Sequence, residues 1–140
     1  MNHPAGGGEH VMRFPATLAG MERGGAGLRD LLSAHEITAQ ARYNLELAFD
    51  EVVANIIRHA GATDDVHVHL RFARDEITIR FEDNGVPFNP TGHPDAERPS
   101  SLDDAQVGGL GLMLVRQTAA RVTYERSPFD RNILTIVVAR

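Results

Sequence analysis

Between Leu45 and Ala60 the apolar residues Leu45, Ala48, Phe49, Val52, Val53, Ile56, Ile57 and Ala60 recur at i, i+3, i+4 spacing, the repeat of a helix with one buried stripe. Gly61 ends it. The period then changes to two: Val66, Val68, Leu70 and Phe72 alternate with His67, His69 and Arg71, and past Arg74-Asp75, Ile77, Ile79 and Phe81 alternate with Thr78, Arg80 and Glu82. This spacing predicts a hairpin of two half-buried strands. A sheet with one packed face and one wet face is antiparallel in habit, because all-parallel sheets are covered on both sides.

The remaining elements extend the same pattern. Val11, Met12 and Phe14 before Pro15 predict a short first strand, and Leu18 to about Ala34 a helix carrying Leu28, Leu31 and Leu32, with Gly20, Gly24, Gly25 and Gly27 weakening its first half. Leu110 to Ala120 reads as a third helix, and Val122 to Glu125 and Ile133 to Ala139 as two last strands around a turn at Pro128 to Asn132. Residues 1–9, with Gly6, Gly7, Gly8 and Pro4, read as a loose arm, and 10–140 as a single domain. From Asn84 to Gly108 the prolines Pro87, Pro90, Pro94 and Pro99 leave no regular element, and a loop of that length in a compact domain makes about 89–108 a candidate lid. The order predicts an α+β two-layer sandwich.

Composition narrows the functional classes. A chain of 140 residues, 42% hydrophobic and 24% charged, suits one soluble globular domain. Fourteen Lys+Arg against nineteen Asp+Glu give a formal charge of -5, the wrong sign for a general nucleic-acid or anionic-membrane binder. The absence of cysteine removes thiolate chemistry and Cys-ligated zinc. No apolar run reaches the roughly 18–20 residues of a membrane span and no signal-peptide core opens the chain, so the expectation is a cytoplasmic protein.

Three clusters could carry chemistry. Glu51 and Asn55 stand four apart on the long helix and so project from successive turns beside its apolar stripe. A carboxylate can take a hydroxyl proton and an amide oxygen is a hard ligand suited to Mg²⁺, although a solvated helix edge gives the same pair. Asp83-Asn84-Gly85-Val86-Pro87-Phe88 follows a strand; its carboxylate could accept from an exocyclic amine and Gly85 could let backbone approach a ring, although Asp-Asn-Gly is also a common turn. Gly108-Gly109-Leu110-Gly111-Leu112 leads into a helix, whose free N–H groups and dipole favour phosphate. No Gly-Lys-Ser/Thr follows, so this is not a Walker A loop.

Glu-x-x-x-Asn on a helix, Asp-x-Gly-x-Pro-Phe after a hairpin strand, a polar loop and Gly-x-Gly-Leu opening a helix occur here in that order. In this the chain resembles the GHKL ATP-binding superfamily, and within it the anti-sigma-factor serine kinases of the RsbW and SpoIIAB type, over about residues 11–140. The resemblance implies the Bergerat fold, a mixed, mostly antiparallel sheet with helices on one face, and ATP and Mg²⁺ as cofactors. By it Glu51 would be the general base, Asn55 the Mg²⁺ ligand, Arg58 a phosphate-contacting cation and Asp83 the reader of the adenine amine above Gly85. Gly109, Leu110, Gly111 and Leu112 would hold the phosphates, and Thr135 would support Asp83. Family members often carry an arginine shortly before the glycine box, whereas Gln106 and Val107 stand here and the nearest upstream cation is Arg98.

The resulting expectation is an ATP-dependent serine/threonine protein kinase of a partner-switching module. Its substrate would be a STAS-type anti-sigma-factor antagonist, and a sigma factor or other regulator would be the sequestered partner. A nucleotide-gated binding switch with little kinase activity is the alternative, and a homodimer is plausible by resemblance. His67 and His69 share a strand face but have no evident third ligand in the sequence, so an exposed sheet face accounts for them. His59 reads as a packing or hydrogen-bonding residue near the helix end.

Overall fold

The computed structural model describes residues 8–89 and 110–140. Residues 1–7 of the expected arm, the expected lid beyond Asn89 and Gly109 lie outside that set. The elements run β1 (Glu9–Phe14), α1 (Leu18–Ser33), α2 (Ala39–Asn55) with a π-helical turn (Ile56–Ala60) at its end, β2 (Val66–Phe72), β3 (Glu76–Asp83), α3 (Leu110–Thr118), β4 (Arg121–Arg126) and β5 (Asn132–Ala139).

Each long helix starts on a threonine. Thr17 Oγ1 accepts from Gly20 N and Thr38 Oγ1 from Ala41 N, both at 3.0 Å, which satisfies an N–H that the first turn cannot pair. The α2 stripe runs on through the π turn to Gly61, whose φ of 63° is the left-handed conformation glycine adopts without strain.

The sheet has five strands in the order β1-β2-β3-β5-β4, and every pairing is antiparallel. Alternation divides its two faces. Val66, Val68, Leu70 and Phe72 on β2, Ile77, Ile79 and Phe81 on β3, and Leu134, Ile136 and Val138 on β5 are buried in the core with Leu28 and Leu32 of α1, Leu45, Phe49, Val52 and Val53 of α2 and Val115 of α3. The intervening residues form the open face. The architecture is the expected α+β two-layer sandwich. No helix among the described residues is long and apolar enough to cross a membrane.

The glycines of α1, which lower its intrinsic propensity, let it lie against β1. A Cβ at Gly20 would stand 2.0 Å from Pro15 O, and one at Gly24 would stand 2.6 Å from the Phe14 ring. Close approach outweighs propensity here.

Gly24→Ala should therefore destabilise the domain although alanine gains about 1 kcal/mol of helix propensity, because displacing a core ring costs about 1–3 kcal/mol. Gly27→Ala, whose Cβ would meet only the flexible Met12 Sδ at 3.3 Å, should be neutral or stabilising. Urea-denaturation midpoints of the two variants test the contrast; equal shifts would contradict it.

Candidate functional site

The packed face of the sheet has one polar end. Asp83 and Asn132, paired across β3 and β5, are buried there at 4% and 5% relative exposure. A carboxylate taken out of water must be hydrogen-bonded. Asp83 Oδ1 accepts from Gly85 N at 2.8 Å and from Asn132 Nδ2 at 3.0 Å. Asn132 is fixed in turn: Nδ2 also donates to Val86 O at 2.8 Å, and Oδ1 accepts from the Tyr124 hydroxyl at 2.5 Å, Arg126 Nη1 at 3.1 Å and Phe88 N at 3.4 Å. Arg126 Nη1 reaches Gly85 O at 2.7 Å. Both hydrogen bonds to Asp83 fall on Oδ1, which leaves Oδ2 for a donor from outside.

Asp83 and Asn132 line a cavity of about 430 Å³, part of it open to solvent, together with Asn55, His59, Phe88, Leu112 and Tyr124 and the apolar Val52, Ile56, Phe81 and Leu134. A largely apolar lining with few convergent polar groups is the usual form of a small-molecule site. Asn55 is 5% exposed, and its Nδ2 is buried without a hydrogen-bond partner. Leaving a buried donor unmet costs about 1–3 kcal/mol, so this atom points to a ligand. The π turn begins at the next residue, and such turns cluster at functional sites. It brings His59 to 6.3 Å from Phe88, ring centre to ring centre.

Glu51 lies one turn before Asn55, half-buried against the start of α3. A Cβ at Gly111 would stand 1.7 Å from Glu51 Oε1, so any larger residue there would have to displace this carboxylate. Asn84 ties the end of β3 to the segment after the π turn, accepting through Oδ1 from Thr63 N and Asp64 N, each at 3.0 Å.

Of the residues singled out in the sequence, Asn55, Asp83 and Leu112 share the cavity, Gly85 braces Asp83, and Glu51 and Gly111 meet beside it. Arg58 is exposed on the π turn and does not line the cavity. Leu110 is the first residue of α3. Thr135 is a correction: it pairs with Arg80 and opens onto the far face of the sheet, beside His69 and Thr78, so it cannot support Asp83. Asn132, three residues earlier and on the packed face, holds that carboxylate instead. A residue assigned to the turn could not be given a face; extending the alternation of Leu134, Ile136 and Val138 back by one step would have found it.

His67 and His69 also stand on the open face. Burial and the charges of Arg131 and Arg13 hold His67 below its ordinary pKa, against the opposing effect of Glu82 and Asp65. Burial and Arg80 do the same to His69, against Glu82.

Fold and cavity define a small α+β domain with a candidate small-molecule site at one end of its sheet. The chain matches the histidine kinase-like ATPase domain family over residues 14–138 and belongs to it. Membership in an ATPase family implies ATP binding. The chain is similar to the serine/threonine-protein kinase BtrW of Bordetella bronchiseptica, at 38% identity over 92 residues covering 64% of this chain and 65% of that one. It is also similar to the serine-protein kinase RsbW of Listeria innocua, at 27% identity over 112 residues covering 75% and 71%. Both relatives are named as protein kinases, and the match spans just under two thirds of the length of BtrW. A chain of the crystal structure of the SiaB-SiaC complex from Pseudomonas aeruginosa shares the fold, with TM-score 0.56 and 13% identity over 94% of this chain and 89% of that one.

Asn132→Ala should cost about 1–3 kcal/mol, since it strands Asp83 and the donors that converge on Asn132, whereas Thr135→Val should stay within about 0.5 kcal/mol. Thermal or urea unfolding of the two variants reads the difference, and the reverse order would refute the assignment.

Proposed function

We propose that the chain is an ATP-dependent serine/threonine protein kinase of a partner-switching module, acting on a STAS-type anti-sigma-factor antagonist. The observation that carries this reading is the cavity shared by Asn55, Asp83 and Leu112, with Glu51 against Gly111 at its side. In it, Asp83 Oδ2 accepts the adenine amine while Asn132 and Gly85 hold Oδ1 in place. The backbone N–H groups opening α3 face the phosphates.

Mg²⁺ fits the same site, because the buried carboxamide of Asn55 has an unmet end and, turned over, offers a neutral oxygen of the kind that cation takes. Bound there, Mg²⁺ would neutralise phosphate charge during transfer. Glu51 is the group with the reach and chemistry to orient the partner's seryl hydroxyl and take its proton as the oxygen–phosphorus bond forms. Gly111 leaves room for that carboxylate, and Arg58 on the adjoining turn is the candidate for a phosphate contact. By the resemblance to the anti-sigma-factor kinases, the sequestered partner would be a sigma factor or another regulator, in the cytoplasm, and a homodimer is compatible with that reading.

The absence of an arginine immediately before the glycine box, where Gln106 and Val107 stand, favours a second reading, a nucleotide-gated binding switch. Radiolabelled ATP with a cognate STAS-domain protein separates the two: phosphoserine on the partner supports the kinase, and a stable complex without it supports the switch.

Glu51→Gln should retain nucleotide affinity while transfer falls by about 10²–10⁴-fold, the usual contribution of a general base. Asp83→Asn should weaken ATP binding about tenfold or more, since a hydrogen bond to a charged group contributes about 1.5–3 kcal/mol. Nucleotide titration beside the phosphorylation assay distinguishes these roles; full transfer by Glu51→Gln would remove it as the base.

A further inference from the structure

The open face of the sheet carries an arrangement that the kinase reading does not use. His67 and His69, two apart on β2, project from one side of the strand, and the register pairs His67 with Glu82 of β3. His69 is the diagonal neighbour of that carboxylate. The His-x-His spacing is visible in the sequence; the third member depends on the strand register. The nearest ligand atoms of His67, His69 and Glu82 all lie within 4.8 Å of one another, and all three residues are half-buried.

A second observation points to a ligand. His69 Nε2 is shut off from solvent and faces Glu82 Oε2 at 3.3 Å, but the two are not aligned for a regular hydrogen bond. Two ligands each about 2.0–2.2 Å from a tetrahedral zinc ion stand roughly 3.3–3.6 Å apart. The His69–Glu82 separation already has that value, and the His67 ligand atom lies within 4.8 Å of both.

We propose that His67, His69 and Glu82 form a binding site for a borderline transition-metal cation, Zn²⁺ foremost, on the face of the sheet opposite the nucleotide cavity. Two imidazoles and one carboxylate leave the fourth tetrahedral position to water or an anion. The surrounding charge selects among ions. Arg13, Arg80 and Arg131 stand near enough to act on the two rings. They repel a hard cation held mainly by charge, such as Mg²⁺ or Ca²⁺, whereas neutral imidazole nitrogens retain a metal with strong affinity for nitrogen. The same arginines favour an anion in the fourth position. Glu82 supplies the one negative charge among the three ligands. The site stands independently of the kinase reading.

The experiment is titration of the chelator-treated full chain with ZnCl₂ in a non-coordinating buffer, with CoCl₂ as a spectroscopic probe. One equivalent should bind, Co²⁺ should give the visible absorption of a tetrahedral site, and MgCl₂ should not compete. His67→Asn, His69→Asn and Glu82→Gln should each weaken binding about tenfold or more, given that outer-sphere partners alone contribute about 10–100-fold. His35→Asn, on a different part of the molecule, should leave affinity unchanged. Circular dichroism confirms that each open-face variant folds, and Glu82→Gln preserves side-chain shape if a histidine variant does not. No binding by the wild-type chain, or binding that survives all three substitutions, overturns the proposal.

Discussion

A carboxylate buried at the end of a strand is the constraint around which the rest of the site is arranged. Asp83 would be costly in a wall made by Val52, Ile56, Phe81 and Leu134 were it not bonded to Gly85 N and Asn132 Nδ2. Satisfying it draws in the turn after β3, the first residue of β5, and Tyr124 and Arg126 of β4. The cavity wall is therefore rigid where a ligand's polar edge would meet it. Rigidity of this kind orders the site before anything binds, so binding energy is not spent on ordering it.

Against that fixed wall stands the helix layer. Val52 and Val53 anchor α2 in the core, with Glu51 half-buried and Asn55 buried on the turns beside them. The π turn that follows carries His59 into the cavity wall opposite Phe88. An α-helix continued at its ordinary pitch would carry His59 elsewhere on its circumference, since each turn of a π-helix holds an additional residue. The same economy of space governs Gly111, which brings α3 onto Glu51, and Gly24, which brings α1 onto Phe14. Layers this close need bare backbone at the crossing points.

Most of this architecture was legible in the sequence because it rests on periodicity. The stripe from Leu45 to Ala60 and the alternation from Val66 to Glu82 define the layers, and α1 forms over the predicted span despite its glycines. Those glycines read as weakness in the sequence because propensity is local, whereas the reason for them, the ring of Phe14 and the carbonyl of Pro15, is tertiary. Thr135 misled for a related reason. Its residue type matched the expected role, but role depends on face, and face depends on where the strand begins. With β5 starting at Asn132 rather than Ile133, the amide belongs to the packed face and the threonine to the open one. The π turn left no sequence trace, since its residues continue the helical stripe of α2.

The same alternation explains how one strand can serve two chemistries. Glu82 and Asp83 are consecutive, so the pleat sends one to the open face and the other to the cavity. Neither could exchange tasks with the other without a register slip, and the pairings His67–Glu82 and Asp83–Asn132 prevent one by locking β3 from both neighbours. The histidine cluster and the cavity thus stand on opposite sides of the sheet, one peptide unit apart along β3.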